Sequence, residues 1–456
     1  MAKFTGVVPE KRFKSKEAAS PEEYLNAAES LHPFLEKHKT MNEEGIRWID
    51  SVPIPGFEPT GKEDLSLYTG SAGLAYFYLE LYKATGNKEY ENIALKAAHY
   101  LCRNWEIQIT SSAALLGPEC VTSIFLGITS IGQVLAQFYK NYAGNEFSDA
   151  VRAIAYKSIE LADQNGDILS WGKDKSVLMG GGTVIYLYRT AEMLNDPGIF
   201  EAANKAADGI LAAAIEDERG GLAWTSYAHP GQTRVPNFEC GTAGIGLVLA
   251  DAYEASGDER YLNAAKEAAK HIKVLAVPVG DGFLIPYHDN KNEKTLFYVS
   301  TCHGPAGTSR LFYKLYKLTG DEQYLEDIRG LYRGLKAIGV PEVQSSGYWN
   351  TVGICCGTAG VLQFFINLAL VTGDEDARDS AIAAGNILLG TAAAQDAGIA
   401  WPFAFERINP DTITVSITYG TGSTGVAVAL IQLYLLLKGK YNWDRFFDDP
   451  YPAVLE

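Results

Sequence analysis

The sequence predicts an all-α protein of the α/α-toroid kind, a double ring of about seven inner and seven outer helices. Three observations lead there: a Gly-x-x-Gly step that recurs along the chain, an apolar helix after each step, and an amphipathic helix after that. Five steps are intact, at Gly70–Gly73, Gly241–Gly244, Gly304–Gly307, Gly357–Gly360 and Gly422–Gly425. Two degenerate copies, at Gly127 and Gly180, fill the gap. Successive first glycines are 57, 53, 61, 63, 53 and 65 residues apart, which makes seven repeats. A repeat of this size is a two-helix unit that buries its apolar face only against its neighbours.

The first sixty residues lie outside the repeats, and the ring is expected over residues 61–456. Within the leading segment, Pro21–Lys39 has the pattern of an amphipathic helix suited to be the last outer helix and to close the ring. Lys11–Lys16 is a short basic patch that needs no role beyond solvation. Inside the repeats, Leu74–Lys83, Ile245–Glu254 and Thr308–Lys317 are largely apolar and read as inner helices. Each ends at a glycine followed by Asn or Asp: Gly86-Asn87, Gly257-Asp258, Gly320-Asp321 and Gly373-Asp374. Glycine accepts the left-handed conformation that closes a helix, and Asn or Asp caps the next one. The segments Glu259–Val274 and Glu322–Ile338 are charged on one face only and read as outer helices. Return loops rich in Gly, Trp and Pro, at 221–224, 282–286 and 400–402, carry the only strand-like patterning. The paired glycines themselves are read as packing devices.

Bulk properties narrow the function. The chain has 456 residues, 47% hydrophobic and 21% charged, ordinary for a globular protein. Its formal net charge of -16 disfavours nucleic acid and anionic membranes as partners. Six cysteines are too few for a disulfide scaffold. No apolar run reaches the ~18 residues of a membrane helix, and Val426–Leu437 reads as a buried helix. Met-Ala-Lys-Phe-Thr-Gly is not followed by an apolar signal core. The expected compartment is the cytoplasm, where thiols stay reduced.

The chemistry collects at one address. The two residues before the first glycine of each repeat are Tyr68-Thr69, Phe125-Leu126, Leu178-Met179, Glu239-Cys240, Cys302-His303, Cys355-Cys356 and Gly420-Thr421. Four of the six cysteines stand here, in consecutive repeats. Equivalent positions in a closed ring face the same mouth, so Cys302, Cys355 and Cys356 are expected to meet around one metal ion although 53 residues separate the first two. Soft thiolates suit zinc, and three protein ligands with one exchangeable position form a catalytic rather than a structural pattern. The implied chemistry is activation of an incoming thiol. Cys102 and Cys120 are read as packing residues. Cys240 and His303 are the candidate catalytic groups, with Glu239 and Tyr298 as candidate substrate contacts. His229 and His288 are read as ordinary loop histidines.

Seven Gly-x-x-Gly helix pairs, with a Cys-x-Gly and then a Cys-Cys-Gly, resemble the lanthionine synthetase C-like family, the lantibiotic cyclases. The resemblance spans roughly Ser66 to Leu437. It implies an α/α toroid with zinc held by Cys302, Cys355 and Cys356. It also implies a cysteine of a ribosomal peptide adding to a dehydroamino acid to form a thioether. A peptide or small-thiol substrate and a partner dehydratase follow as expectations, with no nucleic acid and no membrane insertion. The sequence departs from the family pattern at three places. Cys240 stands where the cyclases carry a histidine, Ser123 where they carry an aspartate, and the region around Tyr298 where they carry an arginine. A non-cyclising member that binds glutathione or a peptide thiol at zinc is therefore a second expectation. A carbohydrate-active toroid, with Glu119, Glu239 and Asp289 as candidate carboxylates, is a remote third.

Overall fold

The computed structural model describes residues 11–49, 62–227, 234–289, 296–344, 351–406 and 409–452. His229 and Trp349 lie outside them. Helices α1 (Glu22–Glu29) and α2 (His32–Glu36) precede the repeats. Then follow α3 (Ser71–Thr85), α4 (Lys88–Asn104), α5 (Ile107–Leu116), α6 (Ile128–Tyr142) and α7 (Asn145–Glu160). Next come α8 (Gly180–Leu194), α9 (Pro197–Ala212), α10 (Thr242–Ser256) and α11 (Glu259–Leu275). The chain continues with α12 (Pro305–Thr319), α13 (Glu322–Ala337), α14 (Thr358–Thr372), α15 (Glu375–Thr391) and α16 (Ser423–Leu437).

These elements form two compact units. In the first, built from Pro118–Ile338 and Phe446–Tyr451, the inner helices α6, α8, α10 and α12 pack side by side, and α7, α9, α11 and α13 each pack on the inner helix before them. In the second, the described residues of Gly6–Gly117, Gly339–Arg445 and Pro452 do the same with α14, α16 and α3 inside and α15, α1 and α4 outside. The assignment of inner and outer helices from the sequence holds in both. Thr242–Ala252 of α10 is buried at every position, as is Ser423–Leu436 of α16. By contrast α11 buries only the stripe Tyr261, Leu262, Ala264, Ala265, Ala268, Ala269, His271, Ile272 and Leu275.

The turns between paired helices form as their residues dictate. Gly86, Gly257, Gly320 and Gly373 sit at φ +73°, +74°, +70° and +67° and close α3, α10, α12 and α14. The side chains of Asn87, Asp258, Asp321 and Asp374 then accept the backbone N–H two residues on. Antiparallel two-stranded ribbons lead out of the outer helices, as at Asp163–Asn165 with Ile168–Ser170 and Val277–Val279 with Gly282–Leu284.

Three features differ from the sequence reading. The leading amphipathic segment is two helices, because Pro33 in the first turn of α2 has no N–H to continue α1. The return segment after α4 contains a further helix, α5, whose mixed run Ile107–Leu116 carries no clear 3.6-residue apolar stripe to announce it. Lys11 and Arg12, read as a solvated patch, pair as a strand with Gln344 and Val343.

The second glycine of each step allows a close approach rather than a bend. A Cβ on Gly244 would lie 2.1 Å from the Phe238 carbonyl oxygen, and one on Gly425 would lie 2.0 Å from that of Tyr419. In both cases the turn before the helix folds back onto its first coil. At Gly257 a Cβ would meet nothing within 4 Å, and only the left-handed backbone demands glycine. Gly257→Ala should therefore cost about 1 kcal/mol of stability in urea unfolding, and Gly244→Ala several-fold more, since backbone atoms cannot move aside.

One buried charge cluster holds α3 to the segment after α16. Glu80 is fully buried, Lys83 Nζ lies 3.2 Å from Glu80 Oε1 and 2.9 Å from Asp444 Oδ2, and the Asp444 N–H donates to Glu80. Burial pushes Glu80 up to about 7, against the opposing pull of Lys83. The folded state thus keeps a proton that the unfolded chain releases near its ordinary value of about 4.5. The contribution is full below that value and is lost as pH rises through about 7, a decline of about 3 kcal/mol. Glu80→Gln should flatten this part of the stability–pH curve, measured by urea unfolding between pH 4.5 and 8.

Candidate metal and thiol site

The residues two before the first glycines are joined by backbone hydrogen bonds from repeat to repeat. In the first unit, Leu178 N–H donates to Glu239 O at 2.9 Å, and Glu239 N–H to Cys302 O at 2.7 Å. In the second, Cys355 N–H donates to Gly420 O and Gly420 N–H to Tyr68 O, both at 2.9 Å. The turn that carries each such residue is fixed from behind by the glycine-seated helix start. The side chain at this position is thus set by the fold, whatever its chemistry.

Three groups of metal-competent side chains occur among the described residues. Cys302, Cys355 and Cys356 form the first, their sulfurs within 4.8 Å of one another. The adjacent pair Cys355 and Cys356 stands at 3.4 Å, half-buried, and Cys302 is buried. Sulfurs bound at about 2.3 Å to one tetrahedral zinc stand roughly 3.8 Å apart, so this donor set fits the ion without large movement. None of the six cysteines is in a disulfide.

The second group is Glu239, Cys302 and His303, all buried, again with one ligand atom each within 4.8 Å. Tyr287 lies against it, its ring 4.6 Å from both His303 and Tyr298, with Tyr298 5.7 Å from His303. His288 meets the other side of Tyr287 edge-on at 4.5 Å. The sequence reading named Glu239, His303 and Tyr298 but missed Tyr287, which stands in a return loop where only a count of loop aromatics would have marked it. Cys240 is buried and, among the described residues, joins none of the three groups. Ser123 is fully buried and its Oγ accepts the N–H groups of Phe125 and Leu126 at 3.3 Å, so it builds the turn.

The third group, Asp217, His271 and Asp289, went unnoticed as a cluster because its members are dispersed over 72 residues of sequence with no common spacing. Arg219 donates through Nε and Nη2 to the two oxygens of Asp217 at 2.7 and 2.8 Å and reaches Asp289 at 2.6 and 2.7 Å. Arg234 Nη1 donates to Asp217 at 2.5 Å. Hydrogen bonds from Arg219 hold the Asp217 carboxyl far below the usual carboxylate range. Burial works to raise Asp289, but hydrogen bonds from His271 and Arg219 outweigh it and lower it. Two guanidinium groups already balance the two carboxylates, so this group is a buried ion-pair network with no charge left for a divalent cation. Asp289 was also a candidate glycosidase carboxylate, and its commitment to Arg219 removes it from that role.

Comparisons with known proteins bear on the family and the fold. The family model described as lanthionine synthetase C-like protein matches residues 61–447. The chain belongs to that family. Among solved structures, nisin cyclase matches with a TM-score of 0.59 at 14% identity, covering 82% of this chain and 92% of that one. The fold is accordingly the α/α toroid. A curated relative, named glutathione S-transferase LANCL1 of Danio rerio, is 22% identical over 332 residues, 70% of this chain and 73% of its own length. An inactive variant of an α-1,6-mannanase from Salegentibacter sp. HEL1_6 matches at a TM-score of 0.47 and 14% identity over 91% of this chain and 99% of that one, too loosely to bear on chemistry. No helix among the described residues is long and apolar enough to cross a membrane.

Replacing Asp217 and Asp289 together by Asn should leave the zinc content of the purified protein unchanged, measured by elemental mass spectrometry, while lowering its unfolding temperature. Loss of bound metal in that variant would contradict the ion-pair assignment.

Proposed function

We propose that this family member is a zinc-dependent thioether-forming enzyme. Cys302, Cys355 and Cys356 would hold the ion, and a cysteine of a dehydrated ribosomal peptide would be its substrate. The observation that carries the reading is the gathering of three sulfurs within 4.8 Å at repeat-equivalent positions. When bound, zinc lowers the pKa of an incoming thiol so that it reacts as thiolate near neutral pH. The substrate sulfur then adds to the β-carbon of a dehydroalanine or dehydrobutyrine, and the α-carbon takes up a proton. Glu239 and His303, packed beside Cys302, are the side chains placed to move that proton, and Tyr298 and Tyr287 line their flank. The acid of this chain differs from that of the cyclases, since Cys240 replaces their histidine and Ser123 is spent on its turn. A dehydratase is the partner this substrate requires, and the cytoplasm is the compartment that keeps the three thiols reduced.

A second reading has its own support. The LANCL1 relative is named a glutathione S-transferase, and the replacements at Cys240, Ser123 and around Tyr298 suit a protein that accepts a small free thiol in place of an intramolecular one.

Native protein should hold one zinc per chain, and Cys355→Ala and Cys356→Ala should each lose most of it. Stoichiometric zinc in both variants would overturn the site. Incubation with glutathione and a dehydrated peptide that carries its own cysteine then separates the readings. Loss of the peptide's free thiol at unchanged mass supports the cyclase. A mass gain of one glutathione per dehydro residue, with the peptide thiol untouched, supports the transferase.

A further inference from the structure

We propose that Arg219 is a positioning residue, which fixes the ring of Tyr287 against His303 by holding the segment Pro286–Asp289 from below. This rests on the reading of His303 as part of the reacting site. The segment is anchored at both ends by groups that have no other evident task. At one end the Asn237 side chain donates to the Pro286 carbonyl at 2.8 Å and accepts from Thr308 Oγ1 at 3.0 Å, both fully buried. At the other end Arg219 grips both oxygens of Asp289 while its remaining donors grip Asp217. The Asp289 N–H also donates to Arg234 O at 3.4 Å, and His271 Nε2 lies 3.5 Å from Asp289 Oδ2. Between these anchors stand Tyr287 and His288. Tyr287 is itself held by its N–H, which donates to Leu296 O at 2.8 Å. Its ring stands 4.6 Å from the imidazole of His303 and tilted 45° to it.

A guanidinium suits this work better than an ammonium. Its five donors lie in one plane, so a single side chain binds two carboxylates and fixes their relative orientation. The turn Asp217–Gly221 presents that plane rigidly, because the Arg219 N–H donates to Asp217 Oδ1 and the Asp217 N–H to Gly221 O. Lysine at position 219 would keep the charge and lose the orientation. The network therefore links a ribbon remote from the cysteines to the wall beside Cys302. A small tilt of an aromatic neighbour displaces a reacting imidazole by a fraction of an ångström, which is enough to slow a proton transfer.

The test reads the ring pair directly and needs no substrate. In protein carrying 13C-labelled histidine, the Cε1–H signal of His303, assigned with His303→Asn, should be displaced by the Tyr287 ring current. Tyr287→Phe should keep the displacement and Tyr287→Ala should abolish it. Arg219→Gln and Asp289→Asn should each remove at least half of it, Arg219→Lys should fail to restore it, and zinc content should not change. In thiol addition, Arg219→Gln should lower kcat about tenfold with KM for the peptide unaltered. A His303 signal unmoved in folded Arg219→Gln or Asp289→Asn overturns the proposal. The expected signal changes in a protein that adds no thiol to any dehydro residue would sink the functional reading and leave the positioning intact.

Discussion

The structure depends on one backbone constraint. Among the described residues, the residue two before a first glycine offers its N–H to the carbonyl of the equivalent residue one repeat on, Leu178 to Glu239 and Glu239 to Cys302 in one unit, Cys355 to Gly420 and Gly420 to Tyr68 in the other. Each bond contributes modestly in itself, about 1 kcal/mol. Its importance is geometric, because it brings the turns of successive repeats into register. It also leaves the side chains of those turns unconstrained by the fold. One position can then hold tyrosine, leucine, glutamate, cysteine or glycine in different repeats without altering the architecture. A chemical site is made by choosing what to place there.

This explains what the sequence reveals and what it hides. The repeat, the inner and outer helices and the left-handed glycine turns are all periodic, and periodic features add up across seven copies until they stand out. Cys302, Cys355 and Cys356 were legible for the same reason, as departures from the pattern at a shared address. Features that occur once were not legible. Pro33 divides the leading helix, α5 occupies a return segment with no apolar stripe, and Tyr287 meets His303 at a tilt from a return loop whose position relative to the repeat carries no marker in the sequence. The Asp217–His271–Asp289 group was hidden because the turn, helix and loop that supply it are neighbours only in space. The packing reading of the glycines stands at Gly244 and Gly425, where a carbonyl oxygen occupies the room a side chain would need.

Charge is handled differently in the two interiors. At Arg219 the positive groups match the carboxylates one for one, and both aspartates stay ionised. At Glu80, a single lysine faces two acids, Glu80 and Asp444, and the more deeply buried acid gives way by keeping its proton near neutrality. Arg219 is thus an orienting device, whereas Glu80 is a liability to stability that grows as the medium turns alkaline.

The pairing of α1 with α16 has a consequence for the order of synthesis. The first described helix packs on α16, and about four hundred residues lie between them. A ribosome adding roughly 5–20 residues each second releases α1 on the order of half a minute or more before its partner exists. During that interval Tyr24, Leu25 and Ala28, all buried in the finished protein, lack the helix that covers most of them. A nascent chain at that stage therefore carries an adhesive segment at α1, and completion of α16 is the event that silences it.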